Sequence, residues 1–430
     1  MTKTNSIQWH LALLNVVLAL VAMFNADAQD ATHSIVEGKA ELVAARVFSG
    51  TIHGWHSNRL LKIDGRLYAC ATIRNPNPEK PDWPYSHPGA FYRREDNGTW
   101  NEVGTLPYPP YMMLAGPDKR VWITGSTDYA NVHINRTKEP VDFSSIEEVH
   151  TGTNAYMGAA ISPEGNFLTL YAETAEMQYG KPNAIIAAFF DAADGTWHTS
   201  RMETPEGRYG YEGILLTGKR AIAVLNSALY DPDHSDGEGT KYSWRHVRLA
   251  SCEDLTVGNW KNIGWLMPLD GRTALQDMIP DGNGGAYVSY AHASAASHEE
   301  LLKTPGTPHY IAHIAPNLAV DSHETGLNPG LSRMLMAGDG RMFLIGRPVA
   351  GDLHLWQLDT STFKALREWT VSNSANLEAY VVHALCPARF GGEDAGDTVH
   401  LLSVKYLKDE SGQSTQEAEL WHAYFELPER

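Results

Sequence analysis

The sequence predicts an all-β protein, a seven-bladed β-propeller whose blades are four-stranded antiparallel sheets. A turn rich in Gly and Asp, flanked by β-rich segments, recurs seven times along the chain. Most of these turns are followed by a further short strand that leads to a polar turn and often a tryptophan, as at residues 96–100 and 194–197. These features predict a repeating unit of strand A, tight turn, strand B, loop, strand C, turn and strand D.

The seven tight turns divide the chain into units of similar length. In chain order they lie within residues 60–68, 117–122, 163–167, 217–221, 281–287, 338–343 and 396–399. Gly, Asp and Asn favour tight turns for local reasons, so we interpret these positions as scaffold. Four-stranded units of about 40–50 residues are typical of propeller blades. A row of unrelated sandwich domains would not explain the regular spacing.

The two ends of the predicted ring complement each other. The last unit ends after its third strand, at residues 419–427, whereas residues 39–48 near the start lack a partner of their own. We expect this N-terminal strand to complete the seventh blade, because closure removes both exposed sheet edges. Residues 29–430 are therefore predicted to form a single propeller domain.

Residues 1–28 have the pattern of a secretory signal peptide. Lys3 provides a positive charge, residues 11–24 are apolar apart from Asn15, and Ala26-Asp27-Ala28 fits a cleavage site. The apolar run is shorter than the roughly 20 residues that a membrane-spanning helix needs. We expect cleavage after Ala28, no membrane attachment afterwards, and a secreted or periplasmic protein.

The charge and the cysteine content narrow the function classes. The chain has 34 basic and 51 acidic residues, a formal charge of -17, which argues against a nucleic-acid partner. The cysteines, Cys70, Cys252 and Cys386, are too few for a disulfide scaffold, and we interpret them as small buried side chains. We expect a monomer without a cofactor. Whether a structural calcium or zinc ion is bound stays an open question. His234 and its acidic neighbours could provide ligands, but their spacing fits no standard metal motif.

Propeller topology brings candidate functional residues to one face. The D-to-A and B-to-C connections surround one end of the central channel, which we call the mouth, and the tight turns lie at the other end. Loops on a rigid scaffold are where function concentrates. Two residues at the mouth are candidates for catalysis, His56 and Tyr211. The candidates for substrate binding are Asn58, Arg74, Tyr209, Glu212, Tyr230, His292, Arg333 and Arg347.

Several of these candidates also have a structural interpretation. Tyr209 and Tyr211 alternate around Gly210, so they share one strand face and could serve in packing. Arg333 beside the channel needs an anion or a carboxylate such as Glu212, because an unpaired buried charge is costly.

Short motifs resemble those of known propeller enzymes. Residues 96–100 and 194–197 resemble shortened Asp boxes of the bacterial neuraminidase repeat. Trp55-His56-Ser57-Asn58, followed by an Asp-Gly-Arg-Leu-Tyr turn, is similar to the first blade of propeller polysaccharide lyases such as the ulvan lyases. Residues 132–143 resemble their second blade, and residues 208–211 resemble another segment of this group.

The resemblance implies cleavage of an acidic polysaccharide by β-elimination. That family typically uses His and Tyr side chains, with an Arg near the uronate carboxylate. On matching positions this chain has His56, Asn58, Tyr209 and Tyr211. In the second blade it departs from the family, with Pro110-Tyr111 and Thr127-Asp128 where those lyases tend to carry His.

The first functional hypothesis is therefore a secreted lyase acting on a uronate-containing glycan. In this hypothesis Tyr211 moves the proton with His56 as its partner. Either Arg333 or Arg347 neutralises the uronate carboxylate. The net charge of -17 opposes an anionic substrate unless basic groups are concentrated at the mouth.

Two further hypotheses stay open. A glycoside hydrolase of sialidase-like fold needs paired carboxylates, for which Asp128, Glu173 and Glu212 are available, but the sequence has no Phe-Arg-Ile-Pro segment. A non-catalytic propeller that binds glycan or protein is favoured by the content of Trp and Tyr.

Overall fold

The structure, a computed structural model, describes residues 34–48, 57–75, 87–128, 131–153, 158–173, 183–204, 208–230, 242–266, 272–293, 308–348, 352–372, 383–394 and 396–430. The chain divides into a unit of residues 1–35, of which Ser34 and Ile35 are described, and a unit of residues 36–430. The predicted signal peptide lies outside the described residues. Within them, no helix has the length and apolar character that crossing a membrane requires.

Residues 36–430 form seven antiparallel sheets, which confirms the predicted all-β, seven-bladed propeller. The strands of blades one to three are β3 (Leu60–Ile63), β4 (Arg66–Thr72), β5 (Gly89–Arg94) and β6 (Trp100–Leu106); β7 (Pro110–Ala115), β8 (Val121–Ser126), β9 (Val132–Thr137) and β10 (Ile146–Gly152); and β11 (Gly158–Ile161), β12 (Phe167–Ala172), β13 (Asn183–Asp191) and β14 (Thr196–Thr204).

The next three blades repeat the same order of strands. They consist of β15 (Arg208–Thr217), β16 (Arg220–Tyr230), β17 (Tyr242–Cys252) and β18 (Trp260–Trp265); β19 (Arg272–Pro280), β20 (Ala286–Ala293), β21 (His309–Ile314) and β22 (Val320–Glu324); and β23 (Ser332–Met336), β24 (Met342–Gly346), β25 (Leu353–Leu358) and β26 (Ala365–Val371). The short strand β1 (Ser34–Val36) precedes them in the chain, and its Val36 carbonyl accepts a hydrogen bond from the Ser372 backbone N–H, just after β26.

The seventh blade closes the ring with strands from both ends of the sequence. Its order is β27 (His383–Ala384), β28 (Thr398–Lys408), β29 (Ser414–Glu426) and then β2 (Lys39–Phe48) as the outermost strand. β2 runs antiparallel to β29, with Lys39 opposite Tyr424 and Leu42 opposite Trp421. The predicted N-terminal closing strand is therefore confirmed.

The connection between β27 and β28 differs from the predicted tight turn at residues 396–399. It runs from residue 385 to residue 397 and contains the short helix α1 (Pro387–Phe390). α1 contacts the first strands of five blades, β3, β7, β11, β15 and β19. This segment consequently reaches the middle of the ring at the end opposite the mouth.

The blades pack on each other through apolar and aromatic side chains. Trp122 of the second blade stacks on Phe167 of the third at a centroid distance of 4.6 Å, and Trp197 meets Trp122 edge-on at 6.0 Å. Each buried side chain of this size contributes about 1.5–3 kcal/mol through removal of apolar surface from water. The three cysteines are free, with Cys70 and Cys252 buried and Cys386 half-buried.

In five blades, the turns between third and fourth strands share one hydrogen-bond pattern. In the third blade Asp194 Oδ1 accepts hydrogen bonds from the backbone N–H of Thr196 at 2.9 Å and from its hydroxyl at 2.5 Å. Such Asx turns fix the backbone locally. The same pattern recurs at Asn97 and Thr99, Asp142 and Ser144, Asp254 and Thr256, and Asp359 and Ser361. These turns act as scaffold at the outer part of the five blades.

Candidate functional site

The mouth is formed where first strands begin and second strands end. Many of the connections around it lie outside the described residues, and His56 is among the residues of those connections. For Tyr211 in β15 and Tyr230 in β16, the structure describes the backbone but not the side chain. The candidate site can therefore be built from the inner strands and the residues that border them.

Three inner strands carry a β-bulge between their mouth end and their midpoint. The register shifts between Pro110 and Met112 in β7, between Gly210 and Gly213 in β15, and between Leu275 and Asp277 in β19. A bulge bends the strand and redirects a side chain, and bulges are over-represented next to active sites. The residues inside the three bulges are Tyr111, Tyr211 with Glu212, and Gln276.

In the fourth blade, the neighbours of Tyr211 are held tightly. Tyr209 is 2% exposed and packs in an apolar cluster with Leu168 and Ile185 of the third blade. Glu212 is fully buried, and its Cβ would lie only 2.8 Å from a Cβ added to Gly158. Gly158 is therefore required for the close approach of β11 and β15. The packing interpretation fits Tyr209, and the carboxylate of Glu212 is fixed inside the ring.

Asn58 and Arg59 connect the first blade to the second. Asn58 Nδ2 donates to the Met113 carbonyl at 2.8 Å, and the Asn58 carbonyl accepts from the Met113 N–H at 2.8 Å. Arg59 Nη1 donates to the Pro110 carbonyl, and its guanidinium carbon lies 5.9 Å from the Tyr111 ring centroid. The structure thus places the predicted substrate ligand Asn58 in an interblade contact, with its amide nitrogen already bonded.

The other predicted ligands are spread around the ring. His292 is half-buried, and its Nδ1 lies 3.1 Å from the Thr273 hydroxyl of the adjacent inner strand. Arg74 lies farther out, with Nη1 3.0 Å from Glu417 Oε1 of β29. Arg347 follows β24 at the mouth and is half-buried. His292 and Arg347 therefore border the mouth, whereas Arg74 is engaged with the third strand of the seventh blade.

A group of three buried charges, the channel cluster, lies between the inner strands and α1. It consists of Asp277 in β19, Arg333 in β23 and Arg389 in α1, which are 7%, 5% and 2% exposed. Arg389 Nη1 is 3.8 Å from Asp277 Oδ1. Burial raises the pKa of Asp277, while the charges of both arginines act to lower it. The carboxylate whose charge acts on Arg333 is therefore that of Asp277, from the neighbouring blade.

Hydrogen bonds lock the channel cluster to the backbone. Asp277 Oδ1 accepts from the Met278 N–H and Oδ2 from the Met334 N–H, both at 2.8 Å. Arg389 Nη1 donates to the Met278 carbonyl at 3.0 Å. Burial lowers the pKa of Arg333, and the Asp277 charge counteracts that effect. A buried polar group without a partner costs about 1–3 kcal/mol, so these bonds are needed to hold charge at this depth.

A neutral network lies next to the channel cluster on the mouth side. His309 Nε2 is 3.2 Å from the Ser332 hydroxyl, and its Nδ1 is 3.1 Å from the Thr325 hydroxyl. Ser332 Oγ in turn donates to Gln276 Oε1 at 2.5 Å. Burial lowers the pKa of His309 to about 3, so this imidazole is neutral at physiological pH. His309 and Ser332 therefore join blades five and six and do not form an accessible nucleophile.

Two of the carboxylates considered for hydrolysis are already engaged. Glu173 forms a two-point contact with Arg201 at 2.8 and 3.0 Å, and the Arg201 hydrogen bond lowers the pKa of Glu173. Asp128 Oδ1 accepts from the Asn131 N–H at 2.7 Å, within one loop. These contacts disfavour either carboxylate as a catalytic acid, because both are already occupied by hydrogen-bond donors.

One group among the described residues has a metal-ligand geometry. Asp191, Asp194 and His198 offer ligand atoms within 4.8 Å of one another. The Lys219 ammonium, however, lies 2.5 Å from Asp191 Oδ2, and it repels a cation at this position. The group also belongs to a turn at the outer part of the third blade, away from the channel.

Asp277 and Arg389 are functional candidates that sequence reasoning missed. Asp277 is the one acidic residue of β19 and is followed by the apolar Met278 and Ile279, which is itself a signal of a buried charge that needs a partner. Arg389 follows Pro387 in a segment that precedes the tight turn predicted at residues 396–399 and that carries no motif of its own. Its place in the channel depends on the path of α1. A helix of four residues is too short to leave a periodic pattern of apolar residues in the sequence.

The described residues define a seven-bladed β-propeller with polar and charged side chains gathered around its channel. No protein-family model matches the chain, and no curated protein matches it. Similarity is found among solved structures, and it confirms the predicted resemblance in fold to propeller polysaccharide lyases.

Three solved structures illustrate the similarity. A PL25 ulvan lyase bound to GlcA(1-4)Rha3S has a TM-score of 0.60 and 11% identity, covering 88% of this chain and 94% of that chain. A second PL25 ulvan lyase structure has a TM-score of 0.58 with the same identity and coverage. The GH93 α-L-arabinofuranosidase of Fusarium graminearum with arabinobiose has a TM-score of 0.44 and 12% identity, over 88% of this chain and 97% of that chain. Identities this low speak to the fold alone.

Proposed function

We propose that the protein is a polysaccharide lyase that cleaves a uronate-containing glycan by β-elimination. The observation that carries this proposal is the bulge at Tyr211 and Glu212, on the mouth side of an inner strand. The likeness in fold to ulvan lyases supports it as an analogy. The residue types that border the same end of the channel, Tyr, His and Arg, are those that elimination requires.

Elimination from a uronate needs three functions. A base removes the proton from C5, the electron pair forms the C4–C5 double bond, and the bond from C4 to the glycosidic oxygen breaks while an acid protonates that oxygen. We assign the proton transfers to Tyr211 with His56 as its partner. An arginine at the mouth, Arg347 or Arg333, neutralises the carboxylate, which stabilises charge that develops at C5. Arg347 suits this role better, because Arg333 is buried and bonded to backbone carbonyls.

The distribution of charge supports an anionic substrate despite the total of -17. Three arginines, Arg59, Arg333 and Arg389, are buried around the inner strands, against the buried carboxylates Asp277 and Glu212. Charges in a low-dielectric channel act over longer distances than the screened acidic groups of the outer surface. The interior of the ring therefore favours anions more than the net charge indicates.

A lyase assay tests this function. The protein is incubated with ulvan and with polygalacturonate, and the ultraviolet absorbance of the C4–C5 double bond is followed. We expect an increase in absorbance that falls about 100-fold or more in Tyr211→Phe and His56→Ala, because general acid–base groups contribute at least that factor. Tyr287→Phe is the matched control, since Tyr287 lies next to the tight turn at the opposite end of β20 and should retain activity.

The other outcomes separate the remaining hypotheses. New reducing ends without the absorbance change would indicate a glycoside hydrolase and would contradict elimination. Retention on a column of immobilised glycan, with neither product, would indicate a binding propeller. Full activity in Tyr211→Phe would remove the assigned proton carrier while leaving the lyase function in place.

We also propose that the protein is exported, with residues 1–28 as the signal peptide. A charged start, an apolar core and the Ala26-Asp27-Ala28 pattern support export. The mass of the protein recovered outside the cytoplasm is expected to correspond to a chain that begins at Gln29. A mass that still includes residues 1–28 would contradict cleavage.

A further inference from the structure

The channel cluster carries more positive than negative charge. The formal charges of its two guanidiniums and one carboxylate sum to +1. Arg389 Nη1 lies 3.8 Å from Asp277 Oδ1, and Arg333 Nη1 donates to the carbonyl of Gln276, the residue before Asp277, at 2.8 Å. Among the described residues, no other carboxylate forms an ion pair with either guanidinium. Burial of an uncompensated charge is strongly unfavourable.

Three buried guanidinium nitrogens of the channel cluster find no hydrogen-bond acceptor among the described residues. Arg333 Nη1 donates to the carbonyls of Gln276 and Ser332, both at 2.8 Å, but no described residue accepts from Arg333 Nη2. Arg389 Nη1 donates to the Met278 carbonyl, whereas its Nε and Nη2 have no partner in the described part of the chain. Asp277 uses both carboxylate oxygens on backbone N–H groups. Within the described residues, the cluster therefore presents donors and positive charge together, without an acceptor for them.

We propose that the channel holds a small monovalent inorganic anion of the halide class between Arg333 Nη2 and the Nε and Nη2 atoms of Arg389. Such an ion accepts hydrogen bonds from all three nitrogens and neutralises the excess charge at the same time. A water molecule could accept hydrogen bonds but would leave the charge uncompensated. Both arginines are almost completely buried, and α1 contacts the first strands of five blades at this end, which favours a single small ion over a polymer carboxylate.

The ion would have a structural consequence for the ring. Arg333 belongs to β23 of the sixth blade, Asp277 to β19 of the fifth, and Arg389 to the closing segment of the seventh. An anion between the two guanidiniums joins blade six to α1, where direct contact between like charges is repulsive. This inference does not rest on the proposed lyase function, because neither the site nor its test involves a glycan.

Crystallography in bromide locates the ion directly. Crystals of the full mature protein are transferred to sodium bromide, and anomalous differences are measured at the bromine absorption edge. We expect a peak within hydrogen-bonding distance of Arg333 Nη2 and of Arg389 Nε or Nη2. An ordered water without anomalous signal at this position, or bromide at surface sites only, would overturn the proposal.

A titration in solution provides the second test. Thermal unfolding is measured with increasing sodium chloride against sodium gluconate at equal ionic strength, since gluconate is too large for the site. We expect chloride to raise the unfolding temperature in a saturable way. In Arg389→Lys the half-saturating chloride concentration should be about tenfold higher, because the substitution removes the Nε and Nη2 donors of Arg389. Arg430→Lys is the control, because Arg430 is 74% exposed and contacts Asp339 outside the channel.

Asp277→Asn makes the titration informative even if Arg389→Lys folds poorly. Neutralising the carboxylate raises the charge of the cluster from +1 to +2, so the half-saturating chloride concentration should fall about tenfold. Loss of packing alone would not strengthen chloride binding. Equal effects of chloride and gluconate in the wild-type protein would contradict the site.

Discussion

Asp277 shows how a single buried residue can connect three parts of the ring. Its two oxygens accept the N–H groups of Met278 in its own strand and Met334 in the next blade, while Arg389 approaches from α1. A buried ion pair is often no more stabilising than well-packed apolar residues, but loss of one partner leaves an unpaired charge. Asp277 therefore fixes how strands of neighbouring blades are aligned with each other and with α1.

Two histidines in the seventh blade make stability depend on pH. His400 Nδ1 lies 3.0 Å from His422 Nε2, and His422 Nδ1 lies 3.3 Å from Glu41 Oε2. Burial, and then the neighbouring positive charges, lower the pKa of His400 to about 3, and burial also lowers the pKa of His422. The charged and titratable groups near His400 are His422 and Tyr424 from β29, Glu41 from β2, Lys62 from β3 and Arg94 from β5.

We expect the folded protein to lose stability as the pH falls below about 6.5, the ordinary pKa of histidine in an unfolded chain. Because the folded state keeps His400 neutral down to a pH of about 3, protons bind preferentially to the unfolded state within that window. His400→Asn removes this contribution and should flatten the pH dependence by up to about 1.4 kcal/mol per pH unit.

The measurement for the His400 prediction is the thermal unfolding midpoint between pH 7 and pH 4. His323→Asn serves as the control, since the side chain of His323 is 40% exposed and pairs with Asp321 at the surface. An unchanged pH profile in His400→Asn, with a shifted profile in His323→Asn, would show that the buried pair does not control the acid response.

At the scale of the strand, β2 makes two kinds of contact, backbone pairing with a neighbouring strand and an ion pair with another blade. It covers the outer edge of β29, and its Glu41 forms a two-point contact with Arg94 of the first blade at 2.6 and 2.7 Å. Although burial acts to raise the pKa of Glu41, hydrogen bonds from Arg94 and His422 lower it, so the carboxylate is charged at neutral pH. β2 therefore holds the seventh and first blades together by backbone pairing and by charge.

A chain that begins at residue 49 should consequently fail to close. Without β2, the edge of β29 is unpaired and Arg94 loses its carboxylate, so we expect a lower unfolding temperature and association through the free edge. A chain that begins at residue 29 is the control, and a peptide of residues 39–48 added in trans should restore part of the stability. Circular dichroism on heating and gel filtration measure both effects.

Equal unfolding temperatures for the chains beginning at residues 29 and 49 would contradict this role of β2. Rescue by a scrambled peptide of the same composition would contradict it as well, because register with β29 requires the order of residues in the strand.

The elements that sequence reasoning recovered are those with a local signal. The tight turns and the polar turns repeat because Gly, Asp and Asn are favoured where the backbone reverses direction. The strands between the turns are recognisable by their β-rich composition and by the alternation of apolar and polar residues. α1 was missed because a single turn of helix has no repeat and is held in place by contacts with distant strands. The bulges were missed for a similar reason, since an extra residue in a ladder is defined by its partner strand.

At the scale of the whole molecule, the number of blades and the closing strand could be predicted, whereas the charges inside the channel could not. Arg333 was predicted to need a carboxylate, and the structure supplies Asp277 from the adjacent blade, where Glu212 had been considered. Which inner-strand residues face each other depends on how far neighbouring blades are shifted relative to each other along the channel axis. That shift is set by packing between blades, such as the stack of Trp122 on Phe167, and cannot be derived from the sequence of any one segment.

The closed ring also separates the two ends of the molecule chemically. Tight turns and α1 occupy one end, while the bulged inner strands and the long connections border the other. The long connections leave room for a chain-like ligand at the mouth, which fits the proposed glycan site at that end.

The seventh blade imposes an order on biosynthesis. β2 ends at Phe48 and its partner β29 begins at Ser414, so the ribosome must add the strands of six blades between them. During translation β2 has no partner until β29 has been made. Closure of the ring must therefore wait for β29, and a chain interrupted before this strand cannot produce a closed, shortened ring.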